Sequence, residues 1–234
     1  MDLTLSAPGK LFLGGEYAIL WGGTARLAGV GPRASALART RDDREVHLVL
    51  SEGRLEGTLT PLGVRWKTEP SAPFTFAARA VDVVVRAHGK ESLGFSLALS
   101  PTPAGPDGHK LGLGSSARAT VLAVEAAARL LEVRSALALA MLAHAEAQGG
   151  KGSGGDVAAC SVGGLLRYRR WAVERVTAAP SLALGPGRGC GATGDHRAPC
   201  PLRLLGPERL DAGDDRPGGG GAARRGAAAV RRGQ

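Results

Sequence analysis

Apolar residues recur with two different periods along the chain, and the change of period predicts its elements. Residues 3–6, Leu-Thr-Leu-Ser, alternate apolar and polar, the period of a half-buried strand. Leu11-Phe12-Leu13 predicts a second short strand, entered through a turn at Pro8-Gly9. Residues 25–37, 45–50 and 93–100 read as further strands. Over residues 76–88 the period lengthens: Phe76, Ala80, Val83, Val84 and Ala87 fall on one helical face. Residues 115–131 predict an alanine-rich helix with Val121, Leu122, Val124 and Leu130 on its apolar side. Residues 136–148 predict another, stopped by Gly149-Gly150. Strands come mostly first and helices mostly later, so the expected class is α+β rather than a doubly wound sheet.

The periodicity fades near Ala178. Beyond it, stretches such as Gly185-Pro186-Gly187-Arg188-Gly189 and Pro217-Gly218-Gly219-Gly220-Gly221 offer too little apolar surface to offset ordering entropy. No lysine, phenylalanine, tyrosine or tryptophan follows Trp171. The expected organisation is a folded domain over residues 1–178 and a low-complexity tail over 179–234. That tail is expected to be disordered or the product of a shifted reading frame.

The net charge of +9 raises the question of nucleic acid. Much of the excess lies in the tail, as in Arg224-Arg225 and Arg231-Arg232, with no interleaved aromatic residues to stack on bases. A solvated basic tail is expected, with no nucleic-acid partner. Three cysteines, Cys160, Cys190 and Cys200, form no C-x-x-C pair, so no zinc site is expected. The odd count, without a signal-peptide pattern at Met1-Asp2-Leu3-Thr4, predicts reduced thiols in the cytoplasm. No apolar run reaches the ~18 residues of a membrane span, so no membrane partner is expected.

Candidate chemistry begins at Gly112-Leu113-Gly114-Ser115-Ser116-Ala117, directly before the alanine-rich helix. The spacing matches a dinucleotide fingerprint on paper. However, a Pro/Gly turn rather than a strand precedes it, and the Glu132 that follows at the right distance ends a helix. Gly189-x-Gly191-x-x-Gly194 matches equally well inside the tail, and no Walker A string exists. What remains is a phosphate cradle by physics. The two glycines admit an anion close to the backbone, and the helix behind them presents unpaired N–H groups. Ser115 and Ser116 add hydroxyls. An ordinary N-cap after a glycine turn would look the same.

Two further segments sharpen this. Ala7-Pro8-Gly9-Lys10-Leu11-Phe12-Leu13-Gly14-Gly15-Glu16-Tyr17-Ala18 sets a lysine and a glutamate around an apolar strand. Gly149-Gly150-Lys151-Gly152-Ser153-Gly154-Gly155-Asp156-Val157-Ala158-Ala159 sets a lysine, a serine and an aspartate among glycines before a small-residue helix. In this order the three motifs resemble the GHMP family of small-molecule kinases over residues ~5–170. Within the family they are most similar to the branch acting on phosphomevalonate. Tyr17 stands where mevalonate kinases have histidine, and Lys151-Gly152-Ser153-Gly154 replaces their proline version.

The resemblance implies a ribosomal protein S5 domain 2-like fold with a mixed or antiparallel sheet, ATP and Mg²⁺ as cofactors, and a small phosphorylated acid as acceptor. Lys110, Gly112, Leu113, Gly114, Ser115, Ser116 and Ala117 would hold ATP. Lys10 and Asp156 would be catalytic. Lys10, Tyr17, Lys151 and Ser153 would bind the acceptor, and Ser116 and Glu146 would contact the metal. Glu16 would orient the first motif. Mevalonate kinase or another GHMP kinase activity, or an inactive remnant that only binds ATP, is the alternative. Three of the five lysines, Lys10, Lys110 and Lys151, lie in or beside the motifs, where two polyanions would have to meet.

Two departures stand out. Arg118 follows the loop where the family has a small residue, and it is expected to meet nucleotide phosphate or solvent. The second, ferredoxin-like domain of the family has no recognisable copy, so weak turnover or none is expected of the 234-residue chain. His144, His47 and His88 are expected to be bland. Trp66, Trp171 and Phe95 are expected to pack in the core or at its edge.

Overall fold

Two long strands carry the sheet: β1 (Asp2–Gly14) and β2 (Ala25–Thr40), antiparallel to each other. The structure is a computed structural model that describes residues 1–100 and 111–177; Lys110 and the expected tail over 179–234 lie outside the described residues. β1 corrects the expectation of two strands split by a turn. Pro8 has no N–H to give the ladder, and the register shifts between Ala7 and Gly9 rather than the chain reversing. The segment is one strand with a bulge at its centre.

β2 is long enough to hold several partners. Its first residues pair with β7 (Leu165–Arg169) and its last with β6 (Phe95–Leu99). β6 runs parallel to β3 (Glu45–Leu50). β3, β4 (Gly53–Thr60) and β5 (Gly63–Trp66) follow as antiparallel neighbours, and β7 pairs with β8 (Ala172–Arg175). The order is β5-β4-β3-β6-β2-β7-β8, with β1 beside β2. The sheet is mixed, and the class is α+β as expected.

Four helices complete the domain: α1 (Thr75–His88), α2 (Ser115–Leu130), α3 (Ala136–Ala147) and α4 (Gly155–Val162). α2 and α4 pack on β1 and β2, α1 packs on α2, and α3 touches all three other helices. Alanine makes this close packing possible: Ala117, Ala123, Ala126 and Ala127 of α2 are fully buried. They face a core that includes Leu27, Leu48, Leu97, Val84 and Leu166. On β2, Ala34, Ala36 and Ala38 are buried, while Ser35 and Leu37 between them and Arg33 and Arg39 on either side are exposed. That is the alternation of a sheet with one covered face.

Phe95 is buried and Trp66 packs against the core, whereas Trp171 lies exposed in the turn between β7 and β8. Cys160 is a free, buried thiol, which burial pushes up to about 12. Among the described residues, no helix is long and apolar enough to cross a membrane.

Candidate active site

The central bulge of β1 brings its backbone against the glycine loop. Lys10 N–H donates to the Leu113 carbonyl at 3.1 Å. A Cβ on Gly9 would stand 3.0 Å from the Leu113 Cβ, so any larger residue would push the strand and loop apart by a few tenths of an ångström. Gly114 is constrained twice. Its φ of +78° is left-handed, and a Cβ there would meet the Lys10 Cγ at 2.8 Å. The aliphatic stem of Lys10 therefore lies against the loop, and its ammonium reaches the far side of a cleft.

There it meets Asp156. Lys10 Nζ stands 3.2 Å from the Asp156 Oδ1, and it lies 5.0 Å from the centre of the Phe12 ring. The lysine side chain is 15% exposed and the aspartate 31%, so the pair is accessible from the cleft. Asp156 sits in the first turn of α4, behind a Gly154 with φ of +76°. Gly155 is buried so closely under Phe12, Ile19 and Leu27 that a Cβ would come within 3.5 Å of each.

The N-terminus of α2 opens beside Lys10. Gly114 caps it with no side-chain hydrogen bond, leaving the first turn's N–H groups and the exposed Ser115 available. Among the described residues, a Cβ on Gly112 would meet nothing within 4 Å. Ser116 Oγ lies 3.4 Å from His144 Nε2 of α3, and its carbonyl accepts from the Thr120 hydroxyl at 3.0 Å. His144 is buried against the Phe76 ring, with centroids 5.1 Å apart. Burial pushes its pKa down, partly opposed by the Asp156 carboxylate.

Lys10, Asp156, Ser153, Glu16, Tyr17 and His144 share one cleft of about 230 Å³, with Phe12, Leu20 and Gln148 completing its wall. Tyr17 and Glu16 are exposed at the rim. The Ser153 carbonyl accepts from the Tyr168 hydroxyl, and its Oγ accepts from Gly155 N–H at 3.4 Å. Lys151 is exposed on the same glycine loop.

Two expected placements do not hold. Glu146 is turned to α1, where Arg86 holds it at 2.7 Å and Arg79 at 3.7 Å. Its side chain does not line the cleft. Arg118 is turned into the core instead: it is 1% exposed, one Nη donates to the Pro32 carbonyl at 3.0 Å, and its Nε has no partner among the described residues. The helix direction at this position sends the side chain under β2. Conversely, His144 and Gln148 were not expected in the cleft. Their i, i+4 spacing at the polar end of an otherwise apolar helix, just before the glycine segment, was the available signal.

With this geometry established, comparison with known proteins is informative. Residues 75–164 match the model for the GHMP kinases N terminal domain. The chain carries a GHMP kinase N-terminal domain. It is 31% identical over 208 residues to the phosphomevalonate kinase of Streptomyces sp. strain CL190, covering 74% of this chain and 54% of that protein. Among solved structures, the Lin0012 protein of Listeria innocua superposes with a TM-score of 0.63 at 28% identity, covering 73% of this chain and 49% of that one. The phosphomevalonate kinase of Streptococcus pneumoniae, solved with phosphomevalonate and AMPPNP, shares the fold with a TM-score of 0.59 at 23% identity, over 73% and 50% of the two chains. The chain thus spans about half the length of the relatives it matches.

Proposed function

We propose that this domain is the nucleotide-binding half of a kinase that moves the terminal phosphoryl group of ATP onto a phosphate oxygen of phosphomevalonate. The observation that carries this reading is the Lys10–Asp156 pair, 3.2 Å apart, set beside the uncapped N-terminus of α2. The 31% identity to a phosphomevalonate kinase supports the choice of acceptor.

The residues fit the groups this reaction needs. Gly112, Gly114 and the first N–H groups of α2 form a cradle for a polyphosphate, with Ser115 as an additional donor. The Ser116 hydroxyl and Asp156 carboxylate are hard oxygen ligands of the kind Mg²⁺ takes, and either would hold it near the phosphates. When bound, Mg²⁺ supplies neutralisation of the phosphate charge. Lys110 extends the reading on sequence alone. Ser153 lines the cleft from the opposite loop, and with the exposed Lys151 two residues before it would hold the acceptor's phosphate.

The chain's own task is positioning and charge compensation. Lys10 places a cation where donor and acceptor oxygens converge, and Asp156 fixes the ammonium. A phosphate monoester has a second pKa near ~6, so its oxygen attacks already deprotonated. The bond from the transferred phosphorus to its bridging oxygen breaks, a bond to the acceptor oxygen forms, and no proton has to be removed first. An alcohol acceptor such as mevalonate would instead need Asp156 as a base.

ADP release measured with ATP and either acceptor tests the reading. Release that depends on phosphomevalonate and disappears in Asp156→Ala supports it. Release that depends only on mevalonate transfers the activity to the alcohol. A chain that binds no ATP overturns the kinase reading.

A further inference from the structure

We propose that His144 is a positioning residue whose Nε2 accepts the hydroxyl hydrogen bond of Ser116, and so turns the Ser116 lone pairs toward a cation while Ser115 is left to donate to phosphate. The proposal rests on the kinase reading above and gives a physical cause for the division of work between two adjacent serines.

Ser116 has few other choices. Its backbone carbonyl is engaged by the Thr120 hydroxyl at 3.0 Å, and among the described side chains the polar atom within reach of its Oγ is His144 Nε2 at 3.4 Å. The imidazole cannot turn aside easily. It is 5% exposed and tilted 34° against Phe76 of α1, so α1 and α3 together fix the ring in front of α2. A contact of this length is at the loose end of a hydrogen bond, as is common in sites without their ligand.

A hydroxyl has one proton and two lone pairs. If Ser116 spends its proton on Nε2, both lone pairs face away from His144 and can serve only an electron acceptor. The neutral ring must then carry its own proton on Nδ1. Ser115 is exposed and makes no such bond among the described residues, so its proton is available to a phosphate oxygen. Without the histidine, the Ser116 hydroxyl would rotate and spend its proton on phosphate instead.

The test is nucleotide affinity with and without metal, by calorimetry with ATP in Mg²⁺ and in EDTA. His144→Phe keeps the ring volume and the Phe76 contact but removes the acceptor. It should weaken binding in Mg²⁺ by about five- to tenfold, the usual size of one lost hydrogen bond, with no loss in EDTA, where the freed Ser116 proton can turn to phosphate and tighten binding slightly. His144→Gln retains an acceptor and should recover most of the loss. In Ser116→Ala the further His144→Phe change should cost nothing.

Should His144→Phe fail to fold, the serines carry the test. Ser116→Ala should remove the gain that Mg²⁺ gives, and Ser115→Ala should weaken binding in both media. Equal losses in both media for His144→Phe, or losses that add fully to those of Ser116→Ala, overturn the proposal while native ATP binding leaves the kinase reading standing. A native chain that binds ATP in neither medium overturns both.

Discussion

Lys10 and Asp156 are 146 residues apart in sequence and 3.2 Å apart in space, and their pairing joins the first strand to the last helix across the cleft. Both side chains keep some exposure, so the pair itself contributes about 1 kcal/mol or less to stability. Its importance lies in where it holds a cation.

Lys10→Met should therefore leave the melting temperature within a few degrees of native and lower turnover by about a hundredfold or more, the scale seen when one charge-stabilising group is lost. Steady-state kinetics on the enzyme form that turns over, together with a thermal melt, checks both halves. A large fall in melting temperature would reassign the pair to the fold.

Gly114→Ala should cost about 1–3 kcal/mol, because alanine must adopt φ of +78° and its Cβ would displace the Lys10 stem from 2.8 Å. Gly112→Ala, at φ of +67°, meets nothing within 4 Å among the described residues and should cost about 1–2 kcal/mol of backbone strain alone. Chemical denaturation ranks the two. ATP affinity should fall further in Gly114→Ala, since the loop and Lys10 move together.

Arg118→Met should stabilise the domain by about 1 kcal/mol. The guanidinium is 1% exposed, burial drives its pKa down, and among the described residues it has no carboxylate partner and its Nε is unsatisfied. Replacing such a buried charge with an apolar chain of similar length is commonly favourable, here offset in part by the lost bond to the Pro32 carbonyl. Urea midpoints of the two proteins decide it, and a less stable variant would show that this bond outweighs the desolvation.

Stability should fall in two stages on acidification. Burial is the main cause that lowers His47 and His144 from 6.5, so the unfolded chain binds more protons. Their contribution is complete above 6.5 and is lost as pH falls below it through the depressed folded values. Asp43 is held down to about 2 by its hydrogen bond from Arg41, and Glu45 and Glu56 are lowered by Lys67. Their contribution is lost only as pH falls below 4.5. Urea melts between pH 8 and 4 would show the first stage, and His144→Phe should shrink it.

Much of this was legible in the sequence. The helices were, because 3.6-residue periodicity is local: residues 76–88, 115–131 and 136–148 predicted α1, α2 and α3 to within a residue or so at each end. The three motifs were legible too, because glycines at close approaches and charged residues among them leave a mark on spacing. The strands β5, β7 and β8 were not, since four- or five-residue strands carry too few alternations to register, nor was the eight-residue β4, whose apolar alternation is interrupted at Gly57.

The sequence by itself determined the class of the domain, its helices and the set of residues with chemistry to offer. Tertiary structure decided which of them meet. Pro8 could end a strand or bulge it, and the partner β2 made it a bulge. Glu146 could face a metal or an arginine, and α1 supplied two arginines. Arg118 could reach the loop or the core, and the packing of α2 under β2 buried it. His144 looked like any helix histidine until α1 and α2 closed around it. Local periodicity is set by neighbours three or four positions away. The partner of a side chain is set by residues tens of positions distant, which only the packed fold brings near.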